Sequence, residues 1–182
     1  MTDTRWWGSP RFLAALAAIL VAAVAIRVRL FAGFVGLDDA EYARFAYQMV
    51  HGSFHLRGYT GPAVFPLRIG LIAPVALSFR LAGLSEASMV AYPFALSLGG
   101  IVLIYLLSSL WFGHRAGLLA AALVAVFPWD IDGASKLVPD LPAAFYTAAA
   151  VTAIAWLLRA EDRPRDKLAL GGLAAGLALR AS

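Results

Sequence analysis

The sequence predicts an all-α fold: a polytopic bundle of membrane helices, with a loop of interfacial helices after the first span. Three observations predict it. Hydrophobic residues make up 62% of the 182, and charged residues only 14%, against about 45–50% and about 25% in a soluble domain. The mean hydropathy is +0.78, more apolar surface than so short a chain can hide from water. The apolar residues also fall in runs approaching the roughly 20 that cross about 30 Å of hydrocarbon, with most charges between the runs. A soluble enzyme, a disulfide-stapled secreted domain and a disordered tail are thereby excluded. There is no cysteine, which excludes thiolate metal ligands and cysteine nucleophiles. The net charge of +4 and the pI of about 9.8 come from scattered Lys and Arg. They form no stripe that would track a nucleic acid.

The first span is expected at about residues 12–36. Arg5, Trp6, Trp7 and Arg11 precede it as a basic, aromatic interfacial anchor. The run leads into Arg27-Val-Arg29 and not into a small-residue cleavage site, which favours a retained span over a signal peptide. Residues 37–88 read as one loop. Within it Tyr42, Phe45, Ala46, Met49 and Val50 recur at helical spacing up to Gly52, a short amphipathic helix with its stop signal. Residues 69–84 are apolar but short, contain Pro74 and lie between Arg68 and Arg80; such a segment reads as interfacial or re-entrant. Further spans are expected at about 89–110, 116–129 and 141–158, with a tight turn over Trp111–Arg115 and the start of a fifth span at 168–182. That last run is too short to cross. Gly172 and Gly176 give it a small-residue packing face without a partner. The chain therefore reads as the N-terminal part of one longer transmembrane domain, inactive by itself.

Counting crossings assigns the sides. If residues 69–84 do not cross, Asp38 and Asp140 share a face; if they do, the two are on opposite faces. The first arrangement gathers Asp38, Asp39, Glu41, Glu86, Asp130, Asp132 and Asp140, seven of the eleven acids, on one side. The cluster Arg159, Arg163, Arg165 and Lys167 then lies on the other, in a short loop where the positive-inside rule counts most. Counted up to Lys167 the rule ties, with seven Lys/Arg inside and seven outside or near the outer edge. The expectation is a multi-pass protein of the cell (inner or plasma) membrane, N-terminus cytoplasmic, with an extracytoplasmic acidic face.

Two acidic constellations carry candidate chemistry. In Asp38-Asp39-Ala40-Glu41-Tyr42, Asp38 with Glu41 three residues on reads as a capping box. Three acids in four also repel, which raises their proton affinity and suits a general base. In the second, Asp130 and Asp132 form an Asp-x-Asp pair that suits a divalent cation, or simply solvated acids at a helix end. Asp140 before Leu141-Pro142 fits a helix start. Lys136 reads either as a phosphate contact or as a snorkelling side chain. Arg27, Arg29, Arg68 and Lys136 would ring the outer mouth of the bundle, either as functional charges or paired with lipid headgroups. His51 and His55 are four apart but have no third ligand nearby, so zinc is disfavoured. His114 reads as structural.

Taken together, these segments resemble the N-terminal part of GT-C membrane glycosyltransferases, and within them family 39, the protein mannosyltransferases and lipid A aminoarabinose transferases. Asp38-Asp39-Ala40-Glu41-Tyr42, with Gly52 closing the helix, is similar to the family's Asp-Glu-Ala-x-Tyr loop. Pro62, Pro66 and Arg68-Ile69-Gly70 resemble its re-entrant helix. Phe112-Gly113-His114-Arg115 resembles its tight turn, and Ser135-Lys136-Leu137-Val138-Pro139-Asp140 its second acidic loop. The resemblance implies an inverting transfer of a hexosyl or pentosyl group from a polyprenyl-phosphate donor to an acceptor hydroxyl of a glycan, lipid or protein. It implies Asp38 as general base, Asp39 and Asp140 as orienting carboxylates, and Arg68 and Lys136 on the leaving phosphate. Tyr42 and Asp130 would contact acceptor or donor. Asp39 stands where the family has Glu, Glu41 replaces a basic contact of some members, and the Lys-preceded proline pair is absent around Gly61-Pro62-Ala63. These departures suggest a divergent bacterial branch and not a true protein mannosyltransferase. The competing readings are a transporter or flippase, disfavoured because the acids sit at span ends, and a non-catalytic subunit of envelope assembly.

Overall fold

A computed structural model describes residues 9–33, 35–55, 61–62 and 64–159. Among these residues all regular structure is helical: α1 Pro10–Arg29, α2 Leu37–Val50, α3 Val64–Leu67, α4 Ile69–Ala82, α5 Glu86–Phe112, α6 His114–Ala125, α7 Pro128–Gly133 and α8 Asp140–Arg159. The expected all-α membrane bundle is what forms. Among the described residues three helices are long and apolar enough to cross a bilayer: Pro10–Arg29, Glu86–Phe112 and Asp140–Leu158. The expected fifth span, Gly172, Gly176, Arg163, Arg165, Lys167, Arg57 and the Arg5-Trp6-Trp7 anchor lie outside the described residues.

Two helix ends differ from the sequence reading. α1 stops at Arg29, with Leu30 as its C-cap, and does not continue to residue 36. Hydropathy cannot see this end, because the residues after it are still apolar. The chain turns there at Gly33, whose φ of 72° is open to glycine and costly for other residues. The apolar run expected at 116–129 is likewise broken. α6 ends at Ala125, and Phe127 is extended (φ −71°, ψ 119°) before Pro128 opens α7. A residue ahead of proline is pushed out of the helical region, while proline itself is at ease in a first turn. At 1.5 Å per residue, the 12 residues of α6 and the 14 of α4 give about 18 and 21 Å, short of the hydrocarbon.

α5 is the hub and packs against α6, α8, α4 and α1. Its capped start (Ser85 Oγ accepts the Ser88 N–H at 3.2 Å) follows directly from α4. Its end meets α6 through Gly113 at φ 86°, the tight turn that the sequence announced. α5 and α6 approach so closely at Gly117 that a Cβ there would lie 2.8 Å from the Tyr105 carbonyl oxygen. Between α5 and α8, Gly99 accommodates Phe145, and the Tyr92 and Tyr146 hydroxyls pair at 2.8 Å.

Two apolar cores result. One joins Leu16 and Ala23 of α1 to Ile101 and Tyr105 of α5 and to Ala121 and Ala125 of α6. The other joins Tyr42, Phe45 and Ala46 of α2 to Leu71, Ile72, Val75 and Phe79 of α4, Met89 and Val90 of α5, and Leu137 before α8. The amphipathic face read for α2 is thus its buried face, at about 1.5–3 kcal/mol per large side chain withdrawn from water. This second core fixes the N-terminus of α2, the start of α4 and the approach to α8 relative to one another. Val21, Leu119, Leu123 and Leu158 point outward, a surface that lipid covers better than water.

Candidate active site

Tyr42, itself part of the second core, is bonded to Arg68 and lies within the field of Asp38 and Asp140, four side chains from three segments of chain. Tyr42 is fully buried one turn into α2, and its hydroxyl accepts a hydrogen bond from Arg68 Nη1. Arg68 lies between α3 and α4, where the helix breaks: its φ, ψ of −79°, 56° make it the N-cap of α4. Its carbonyl accepts the Leu71 and Ile72 N–H groups at 3.0 and 3.1 Å, which leaves the guanidinium directed across to Tyr42. Burial pushes the Tyr42 hydroxyl above the usual tyrosine range. The hydrogen bond and the positive charge of Arg68 oppose that rise, and the negative charges of Asp38 and Asp140 add to it. Arg68, Asp38 and Asp140 therefore all act on one buried phenol. Asp38 and Asp140 are the first-turn acids of α2 and α8. Both are exposed, and among the described residues no hydrogen-bond donor holds either carboxylate.

Asp39, the neighbour of Asp38, is in a different position. It is 2% exposed, its Oδ2 accepts the Gly36 N–H at 3.1 Å, and its Oδ1 accepts the Leu137 N–H at 2.6 Å. The first bond is half of a capping box about the N-cap Gly36; the second ties α2 to the segment leading into α8. This corrects the expectation that Asp38 and Glu41 form the box. The helix begins at Leu37, so Asp39 is the third helical residue that reaches back, and Glu41 instead pairs with Arg44 at 2.7 Å on the surface. Both Asp39 oxygens are occupied by backbone, and Asp38 is left facing outward.

The remaining candidates separate from this cluster. Lys136 pairs with Asp132 at 2.7 Å, both partly exposed. Asp130 accepts from Arg27 Nη2 and from the Ser97 hydroxyl. The two carboxylates of the Asp-x-Asp pair are thus each turned to a different cation, and among the described residues no three His, Cys, Asp or Glu side chains gather as a metal set. The His51 and His55 Nδ1 atoms lie 2.9 and 2.6 Å from the Tyr47 and Ser53 carbonyls of their own segment. His114 stacks near Phe12 and Tyr105.

Arg27 does not ring the mouth of the bundle. It is 2% exposed, bonded to Ser97 Oγ at 2.7 Å and to the Ala23 and Ala125 carbonyls at 3.1 Å each, and paired with Asp130. Apart from Ala23 in its own helix, its partners are 70 to 103 residues away, so spacing could not reveal them. The available signal was an arginine in an apolar helix, a charge that needs a buried partner.

A family model described as dolichyl-phosphate-mannose-protein mannosyltransferase matches residues 71–181, more than half of the chain. Asp130, Lys136 and Asp140 fall within the match, whereas Asp38, Asp39, Tyr42 and Arg68 precede it, the last three joined to it by the contacts above. Searches of curated proteins and of solved structures return no match. With its bundle of apolar helices, the chain belongs to the dolichyl-phosphate-mannose-protein mannosyltransferase family and is a membrane glycosyltransferase of the GT-C type.

Proposed function

We propose that this glycosyltransferase moves a sugar from a polyprenyl-phosphate donor to an acceptor hydroxyl at the extracytoplasmic membrane face, with Asp38 as the general base. The observation that carries the proposal is the division of labour between adjacent carboxylates: Asp39 is consumed by two backbone N–H groups, whereas Asp38 is exposed and its negative charge, with that of Asp140, acts on the Tyr42 hydroxyl that Arg68 holds. Asp38 takes the proton of the acceptor hydroxyl as its oxygen attacks the anomeric carbon. The bond from that carbon to the phosphate oxygen breaks, the electron pair leaves with the lipid phosphate, and the configuration inverts. Arg68, already desolvated in part and held by Tyr42, offers its remaining guanidinium N–H groups to the departing phosphate. Asp140 orients the acceptor from the first turn of α8. Lys136 is a second phosphate contact, since its exposed pair with Asp132 is worth at most about 1 kcal/mol and yields to a lipid phosphate.

The decisive experiment uses the full-length protein in proteoliposomes with a radiolabelled polyprenyl-phosphate sugar. Asp38→Asn keeps the shape of the side chain and removes the base, so transfer falls by about 10²- to 10⁴-fold while the protein stays folded. Transfer at the wild-type rate would falsify the assignment.

A further inference from the structure

Among the described residues, the Arg27–Asp130 pair is the desolvated ion pair that the proposed chemistry does not use. A buried ion pair seldom adds stability over well-packed apolar residues, because desolvation offsets the attraction; its value lies in fixed geometry. Arg27 sits in the last turn of α1 and spreads its guanidinium over three other elements: Ser97 of α5, the Ala125 carbonyl at the end of α6, and Asp130 of α7. Asp130 also receives the Ser97 hydroxyl. The Ala125 carbonyl belongs to the last turn of α6, where acceptors lack partners within the helix. By contrast, Arg44–Glu41 and Lys136–Asp132 are exposed. From α7 the chain continues through buried Ala134 and Ser135 to buried Leu137, whose N–H is held by Asp39 Oδ1 at 2.6 Å. Direct bonds and short backbone thus run from the end of α1 to the residue beside Asp38.

We propose that Arg27 and Asp130 are positioning residues for sugar transfer: the pair sets the height of α7, which sets Leu137 against Asp39 and so fixes where the α2 N-terminus holds Asp38 relative to Asp140. This rests on the reading of Asp38 as base. A misplacement of about 1 Å at a reacting centre lowers the rate up to roughly a hundredfold, so the pair acts on turnover and not on donor affinity.

The test measures kcat and KM for a polyprenyl-phosphate sugar, per folded molecule, in the full-length protein, together with hydrogen exchange at the Leu137 amide. Asp130→Asn keeps the volume and abolishes the charge. Its kcat falls roughly ten- to a hundredfold, KM stays within about twofold, and Leu137 exchange accelerates about tenfold or more. Gly117→Ala, which strains α5 against α6 away from this chain of bonds, lowers thermal stability but leaves kcat per folded molecule and Leu137 exchange unchanged. Ser97→Ala, which removes a single hydroxyl, gives a smaller change in the same direction and serves if Asp130→Asn does not fold. Unchanged kcat and exchange in the Asp130 and Ser97 variants, or an equal loss in Gly117→Ala, overturns the proposal. Full activity of Asp38→Asn overturns the base assignment instead and leaves the exchange result standing.

Discussion

Replacing Asp39 with Asn tests whether adjacent carboxylates have separate roles. The Asp39 carboxylate accepts two backbone N–H groups, one through each oxygen, and hydrogen bonds to a charged acceptor contribute about 1.5–3 kcal/mol each. Asn has one acceptor oxygen, so one N–H, from Gly36 or from Leu137, then faces an NH₂ group. That unsatisfied donor costs about 1–3 kcal/mol, and the surviving bond loses its charge assistance, worth roughly another 1 kcal/mol. The sum, about 2–4 kcal/mol, is a large share of the 5–15 kcal/mol that typically separates folded from unfolded. Asp38→Asn, at an exposed position that no donor among the described residues holds, stays within about 0.5 kcal/mol of wild type. Denaturant unfolding of the full-length protein in detergent, followed by circular dichroism, measures both, and hydrogen exchange at Leu137 locates the loss. If Asp39→Asn lies within about 0.5 kcal/mol of wild type, or if Asp38→Asn is equally destabilising, the separation of structural from chemical acid is wrong.

Two further predictions concern packing and pH. Tyr42→Phe removes the hydroxyl bonded to Arg68 at a cost of about 1 kcal/mol. Because burial raises the Tyr42 pKa, the folded protein keeps a proton that the unfolded chain releases near pH 10. The wild type therefore loses stability as pH climbs above about 10 and through the folded value, and the Phe variant loses this slope in an alkaline unfolding series. Gly117→Ala drives a methyl toward the Tyr105 carbonyl, and backbone cannot turn aside as a side chain can. A loss of about 1–3 kcal/mol is expected, read as a lowered unfolding temperature; the methyl would also meet the Ser109 hydroxyl, but Ser109→Ala does not restore the loss because the Tyr105 carbonyl remains.

How far the sequence could be read depended on whether a feature was local. Helix existence follows from hydropathy and period, so α5, α8 and the buried stripe of α2 were all legible. Helix ends at Arg29 and Ala125 were not, because apolar residues continue past both; the turn at Gly33 and the proline at 128 decide them. The loop acids were legible as a candidate site, but their individual roles were not. Asp38 and Asp39 are chemically alike and adjacent, and only the helix register, with Leu37 at its start and Leu137 delivered from α7, sends one into backbone bonds and the other outward. Arg27 looked like a mouth charge for the same reason, since its acceptors lie on three other helices.

What the sequence determined by itself is the solvent and the chemistry on offer. Sixty-two per cent hydrophobic residues require a bilayer, and the acids between the runs are the groups available to act. The tertiary structure decided which of them are free to act. A carboxylate in a nearly apolar bundle takes the nearest donor, and donors such as the Leu137 N–H, the Ser97 hydroxyl and the Arg27 guanidinium are brought near only when distant segments pack together.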